Sequence, residues 1–334
     1  MKNKILALLA TIGLASSVTA VEINENLSIN GFIDGSYGSL DADADANPNG
    51  AGLGVDEEYL GIDEVEINFL LNVGNVSGAI HLDSNDLSGN GDELIDIEQA
   101  HFTYSLDNGV SFTFGRYGAA LGFEREDPAG LYTYSRAYED NANGYDLGNI
   151  DSANAGSVEG VTVAYAGEDF SIAASFEEGN DVNLDTEDLN IELSFSYTGF
   201  ENLVLGGGYF FDNQKNTTPS TERDVFNIHA AYTAGKALIA GEFIGASDDT
   251  ANSGEDAFLV LVDYDFTDKL GGALRYSQWE TTDALESSKF TIAPNYAITD
   301  SLGAILEYSS VDVDAAPGNN EDYDYLALEL TYTF

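Results

Sequence analysis

Cysteine is absent from the 334-residue chain, which excludes a disulfide scaffold, a thiolate metal site and thiol redox chemistry. Basic residues are scarce: 11 Lys and Arg face 59 Asp and Glu, for a formal net charge of −48. Nucleic acid, itself a polyanion, is therefore excluded as a partner. Long apolar runs are missing too. The run from Ile5 to Ala15 spans about eleven residues, short of the roughly 18 that a membrane helix requires. With Lys2 and Lys4 ahead of it and small residues at Val18 and Ala20, it reads as a secretory signal over 1–20, cleaved after Ala20. The mature chain, 21–334, then forms a single body. Its excess of acid does not make it disordered, because 18 Phe and 19 Tyr with frequent Val, Ile and Leu are too many for a chain that cannot collapse.

Helical spacing is scarcely seen. From Asn26 onward, apolar and polar residues alternate, the period of a strand with one oily and one wet face. The last segment is the cleanest: Leu326, Leu328, Leu330, Tyr332 and Phe334 share one face, with Ala327, Glu329, Thr331 and Thr333 on the other. Sixteen strands are predicted, at 26–37, 58–72, 76–84, 94–106, 110–117, 158–165, 169–176, 189–198, 202–211, 225–233, 236–245, 257–266, 269–279, 289–298, 302–310 and 325–334. Short connections such as Val73-Gly74-Asn75, Gly199-Phe200-Glu201 and Ala234-Gly235 have the chemistry of hairpin turns. They alternate strictly with longer ones, of which the third, 118–157, is the longest.

Such sorting of loops predicts an all-β transmembrane antiparallel barrel with short periplasmic turns and long extracellular loops. A closed barrel pairs every backbone polar group, which an open sheet in lipid cannot do. The alternative is a secreted sandwich or solenoid. Against it stand aromatic residues near strand ends, as interfacial girdles require: Tyr59, Phe69, Tyr104, Tyr117, Tyr165, Tyr197, Tyr209, Tyr232, Tyr276 and Tyr308. The terminal Phe334 resembles the signal that outer-membrane proteins present to their insertion machinery.

Most carboxylates lie in the long loops, an anionic fringe that keeps the surface solvated. Others fall on the polar phase of strands, which faces the lumen: Glu64, Glu66, Glu192, Glu242, Asp263, Glu307 and Glu329. Fixed negative charge along a narrow aqueous path concentrates positive solutes. The third loop is long enough to fold inward. Arg116, Arg125 and Arg136 in and beside it, with Glu124, Glu126 and Asp127, are the candidate constriction, where opposed charges set a transverse field. Local ion pairs that merely hold the loop in shape are the alternative.

In the first long loop, Asp45, Asn47 and Asn49 precede Gly50, and Asp56 stands twelfth from Asp45, a spacing that wraps calcium. Flanking helices are missing and Pro48 interrupts the pattern, so an acidic loop without bound metal is the competing account. No other cofactor is expected. His81, His101 and His229 all fall on the polar phase, and lumen-facing side chains describe them better than a zinc or catalytic center. Gly206-Gly207-Gly208 lies inside a strand, where it relieves packing or admits a close neighbor rather than cradling phosphate.

Phe114-Gly115-Arg116-Tyr117, Leu121-Gly122-Phe123-Glu124 and Tyr134-Ser135-Arg136 resemble the pattern of the bacterial β-barrel porin families. Asn30-Gly31-Phe32-Ile33-Asp34-Gly35-Ser36-Tyr37 is similar to their first strand. Where those families commonly carry Pro before the Gly-aromatic-Glu step, this chain has Ala120-Leu121. The resemblance implies a passive, non-enzymatic channel for small hydrophilic solutes in the outer membrane of a Gram-negative-type bacterium, reached by Sec export and surrounded by lipid and lipopolysaccharide. A homotrimer carries over from porins in general. A surface adhesin or structural barrel without an open channel, and an outer-membrane lipase, are the alternative functions; the lipase is disfavored because no His sits on the apolar phase.

Overall fold

Alternation with a period of two puts every second side chain on one face of a strand, so a chain that repeats it sixteen times can close into a cylinder with an oily outside. The computed structural model has this form. It describes residues 20–42, 55–84, 95–124, 128–140, 145–146, 157–178, 189–211, 223–248, 253–282, 285–315 and 319–334; the expected signal segment, apart from Ala20, lies outside them. The strands are β1 (Leu27–Ala42), β2 (Val55–Val73), β3 (Val76–Ser84), β4 (Asp96–Ser105), β5 (Val110–Gly118), β6 (Ser157–Ala166), β7 (Phe170–Glu177) and β8 (Asn190–Phe200). They continue as β9 (Leu203–Phe211), β10 (Arg223–Ala234), β11 (Ala237–Asp248), β12 (Ser253–Tyr264), β13 (Leu270–Thr282), β14 (Leu285–Ala297), β15 (Leu302–Ala315) and β16 (Asn319–Thr333). Each pairs antiparallel with the next, and β16 pairs with β1 to complete a closed sixteen-stranded barrel. All sixteen expected segments are present.

The seam is tied at the chain's last residue: Gly31 N donates to Phe334 O (3.1 Å) and Phe334 N to Gly31 O (3.0 Å). Below that point a short strand, Val21–Asn24, takes over the same edge of β1, pairing Val21 with Ile29. Tight turns close the hairpins at this same end of the barrel. Gly74 (φ 63°) and Gly235 (φ 66°) adopt the left-handed conformation that two-residue hairpins require. After β8 the same role falls to Asn202 (φ 61°), three residues past the expected turn start, because Asn tolerates that region better than other side chains.

The outer wall is apolar. Leu306, Leu326, Leu328, Leu330 and Val260 are exposed on it, with Tyr104, Tyr165, Tyr232, Tyr276, Tyr308 and Tyr332 toward its margins. Two expected girdle residues face the other way. Tyr117 shares the phase of Ser111 and Thr113 and donates or accepts one bond with Ser175 Oγ (2.7 Å), and the Tyr59 hydroxyl meets those of Tyr134 and Tyr325 inside.

Several strands run farther than the alternation suggests, notably β1 to Ala42, β12 from Ser253, β15 to Ala315 and β16 from Asn319. There the phase of the pattern inverts. On β15 the outward series runs Leu306, Tyr308, Ser310, Asp312, Asp314 while the inward series runs Glu307, Ser309, Val311, Val313. On β16, Asp322 and Asp324 are outward while Tyr323 and Tyr325 are buried within. Above the lipid the outside of the barrel is water and its inside is packed, so the oily face changes sides without a break in pairing.

Candidate functional site: the lumen and its inward loop

The packing that occupies the upper lumen is the third loop. Leu121, Phe123, Ala137 and Tyr138 form one buried cluster with Phe210, Val225, Ile244, Leu259, Leu261, Trp279 and Val311 from the wall. Tyr138 meets Trp279 edge to face, with ring centroids 6.4 Å apart. A 3-10 turn at Pro128–Gly130 and a two-residue pairing of Glu139–Asp140 with Tyr145–Asp146 are the loop's regular structure among the described residues.

Wall carboxylates latch this loop through its backbone. Ala120 N donates to Glu192 Oε1 (2.8 Å), Phe123 N to Glu242 Oε1 (2.5 Å) and Ser135 N to Glu307 Oε2 (3.1 Å). Tyr138 OH donates to Glu242 Oε2 (3.1 Å), as does Asn227 Nδ2 to Glu242 Oε1 (2.6 Å). Charge-assisted bonds of this kind are roughly twice as strong as neutral ones, and the first three also satisfy backbone N–H groups of the loop. Burial first, then the Glu242 and Glu124 charges, raises the Tyr138 phenol well above its ordinary value, so it stays protonated as the donor. Burial likewise raises the phenol of Tyr134, whose ring stacks on Tyr325 with centroids 5.9 Å apart.

A buried ion pair fixes the loop's center. Arg275 Nη1, on β13, donates to Glu124 Oε1 and Oε2 (2.8 and 2.9 Å) and to Thr133 Oγ1 (2.7 Å). Glu124 Oε2 also accepts Ala137 N (2.7 Å). Arg136 Nη1 donates to the Glu124 carbonyl (2.7 Å), and the Arg136 carbonyl accepts Lys289 Nζ (3.1 Å). Of the expected constriction residues, Glu124 and Arg136 are therefore brought together inside the barrel. Arg116 is not: it shares the strand phase of Phe112 and Phe114, faces Glu159 in register and donates from Nε to Ser157 Oγ (2.9 Å). Arg125, Glu126 and Asp127 lie outside the described residues, as do Asp45, Asn47 and Asn49 of the expected calcium loop. Asp56 stands in β2 as the register partner of Asp41.

Glycine makes room for the loop. A Cβ on Gly208 would stand 2.5 Å from Leu121 Cδ2 and 2.0 Å from the Leu193 carbonyl; one on Gly206 would stand 2.1 Å from His229 Nε2. The run admits close neighbors, the loop among them. Gly208→Val is expected to cost about 1–3 kcal/mol by overpacking and to loosen the loop, seen as lower thermal stability together with raised single-channel conductance.

The seven expected lumen acids divide into groups. Glu192, Glu242 and Glu307 serve the latch. Glu329 is buried on β16, next to Asp34, which accepts Thr331 Oγ1 (3.2 Å). Asp263 is half-buried near the turn end of β12. Glu64 and Glu66 stand on β2, where they join Asp63, Asp83 and Glu98, residues that the strand pattern alone did not single out. Two register slips explain the surplus. Asp34 pairs with Glu64 and Gly35 with Ile62, leaving Asp63 as the extra residue; His81 pairs with Gln99 and Leu82 with Ile97, leaving Glu98. Each bulge adds a carboxylate to the acidic stretch of wall formed by β16 and β1–β4. Arg136 is the cation that the loop brings within electrostatic reach of Glu64.

A barrel with an oily outside, an acidic inner wall and a loop latched within it is the architecture of an outer-membrane diffusion channel. The model of the Gram-negative porin family matches residues 6–332, and the chain belongs to that family. Solved structures of similar fold include the in-vitro-folded trimer form of the outer-membrane protein OmpT of Vibrio cholerae (16% identity, TM-score 0.64, covering 92% of this chain and 99% of that one). OmpF of Salmonella typhi, in complex with daunomycin, is similar at 13% identity and TM-score 0.66, covering 95% and 100%. The anion-selective porin of Comamonas acidovorans is similar at 12% identity and TM-score 0.66, covering 92% and 99%. No curated protein matches the chain in sequence.

Proposed function

We propose that this porin is a passive, cation-preferring channel for small hydrophilic solutes, narrowed by the third loop and assembled as a homotrimer after Sec export. One observation carries the preference: the carboxylates of the pore are segregated. Glu192, Glu242 and Glu307 are committed to loop hydrogen bonds. Half-buried Asp63, Glu64, Asp83 and Glu98 stand on β2–β4, apart from that latch, and give the water path an anionic side. Arg136 supplies the facing positive charge, so a solute crosses a transverse field at this level. Because an anion-selective porin is among the proteins of similar fold, the barrel alone does not set the sign; the lining charges do. The family's channel role and the lack of a lipid-facing His argue against a lipase.

Reversal potentials across a planar bilayer in a potassium chloride gradient test the reading. The wild type is expected to favor potassium, and Asp63→Asn combined with Glu64→Gln to move the permeability ratio toward unity. A chloride preference in the wild type refutes it, and a folded barrel without conductance refutes the open channel. A trimer band on an unboiled gel that collapses on boiling is the expected mark of assembly.

A further inference from the structure

We propose that Glu66, His81 and Glu98 form a binding site on the inner wall for a divalent transition-metal ion of the zinc type. The three residues come from adjacent strands, β2, β3 and β4. His81 Nδ1 lies 3.3 Å from Glu66 Oε1 and 3.9 Å from Glu98 Oε2, and one ligand atom of each residue lies within 4.8 Å of the others. Zinc bonds to nitrogen and oxygen of about 2.0–2.2 Å set ligand atoms roughly 3–3.5 Å apart. The largest separation exceeds that spacing by about 1 Å, within the swing of a Glu side chain about its torsions.

The strand register builds this arrangement. The slip between β3 and β4 inserts Glu98 beside His81. Without it, Glu98 would occupy the phase opposite Gln99 and turn away from the imidazole. Glu66 is fully buried, while the side chains of His81 and Glu98 keep 18% and 23% of their exposure, so the site opens on one side to lumen water that can complete the coordination.

Donor chemistry selects the ion. One imidazole and two carboxylates suit zinc and its neighbors, whereas calcium and magnesium prefer sites made of oxygen alone. Electrostatics favors occupancy, since Asp83 and Glu64 add negative charge around Glu66 and a divalent cation offsets that repulsion. Once bound, the ion neutralizes the two carboxylates that hold it, which makes the acidic wall less attractive to cations.

The test is calorimetric titration of the detergent-folded barrel with zinc chloride in millimolar calcium, added to compete at any site made of oxygen alone. One tight zinc per chain is expected, with the dissociation constant raised at least tenfold in His81→Gln and in Glu98→Gln and unchanged in His229→Gln. Heat-modifiable migration on gels confirms that each variant is folded. Absence of tight binding in the folded wild type, or tight binding that survives His81→Gln, overturns the site. Because the readout is binding rather than ion flow, its failure leaves the channel reading standing, and a closed channel leaves the site standing.

Discussion

Arg275→Met will release the third loop from the wall while leaving the barrel intact. Arg275 and Glu124 are both buried, and the guanidinium bonds both carboxylate oxygens along with Thr133, Ser135 and Thr291. Removing one partner of such a pair leaves a buried carboxylate without its counter-ion and costs about 3–5 kcal/mol. That loss falls on the loop, because β13 keeps its ladder to β12 and β14 whatever side chain stands at 275. Single-channel recordings should show a higher and noisier conductance, and the unboiled barrel should still migrate as folded. Glu124→Gln added to Arg275→Met should recover part of the stability, since no uncompensated charge then remains. Conductance identical to wild type in the single variant would show that the apolar cluster and the Glu192, Glu242 and Glu307 hydrogen bonds hold the loop without the ion pair.

Leu328→Arg will destabilize the barrel as a whole. Leu328 is 44% exposed, faces Leu306 across β15–β16 in register, and sits midway along the outward series from Tyr332 to Leu326. An arginine at the middle of a lipid-facing band costs about 2–4 kcal/mol. Ala327, on the same strand but buried inside, makes the comparison sharp, because its neighbor in sequence faces a different medium. Denaturant unfolding in lipid vesicles checks the figure. A loss below about 1 kcal/mol, the cost near an interface, would mean that this stretch of β16 lies outside the hydrocarbon.

The barrel was legible because lipid imposes one rule on every strand. Each of the sixteen alternations declares which face is oily, and the chain's order of short and long connections supplies the topology. What was not legible arises where that rule stops applying. On β15, Val311 and Val313 break the phase set by Leu306 and Tyr308, and only the packed loop inside explains why they turn inward. Asp63 and Glu98 reach the lumen through register slips, which the periodicity of a single strand does not encode.

The site was partly readable. Glu124 and Arg136 were found by their density of charge in the longest loop, but their partners Arg275 and Lys289 are remote in sequence. Arg275 did carry a signal: it lies between Leu274 and Tyr276, both exposed outward, so it must point in. An inward arginine is conspicuous in a chain so poor in basic residues. Latching by Glu192, Glu242 and Glu307 had no such mark, because a carboxylate on the polar phase looks the same whether it meets water or a loop N–H.

The tie between Gly31 and Phe334 has a kinetic meaning. Fifteen of the strand pairings can form as soon as a neighboring segment is available, but the sixteenth joins positions such as Asp34 and Thr331, separated by 297 residues. Closing a loop of that length costs about 2 kcal/mol more entropy than closing one of roughly 20 residues, by logarithmic scaling. Zipping of consecutive hairpins shortens the effective span, so circularization comes last and waits for β16, at the carboxyl terminus, to be in place beside β1. A polypeptide shortened at that end would remain an unsealed curved sheet, exposing two raw edges to whatever strand it meets next.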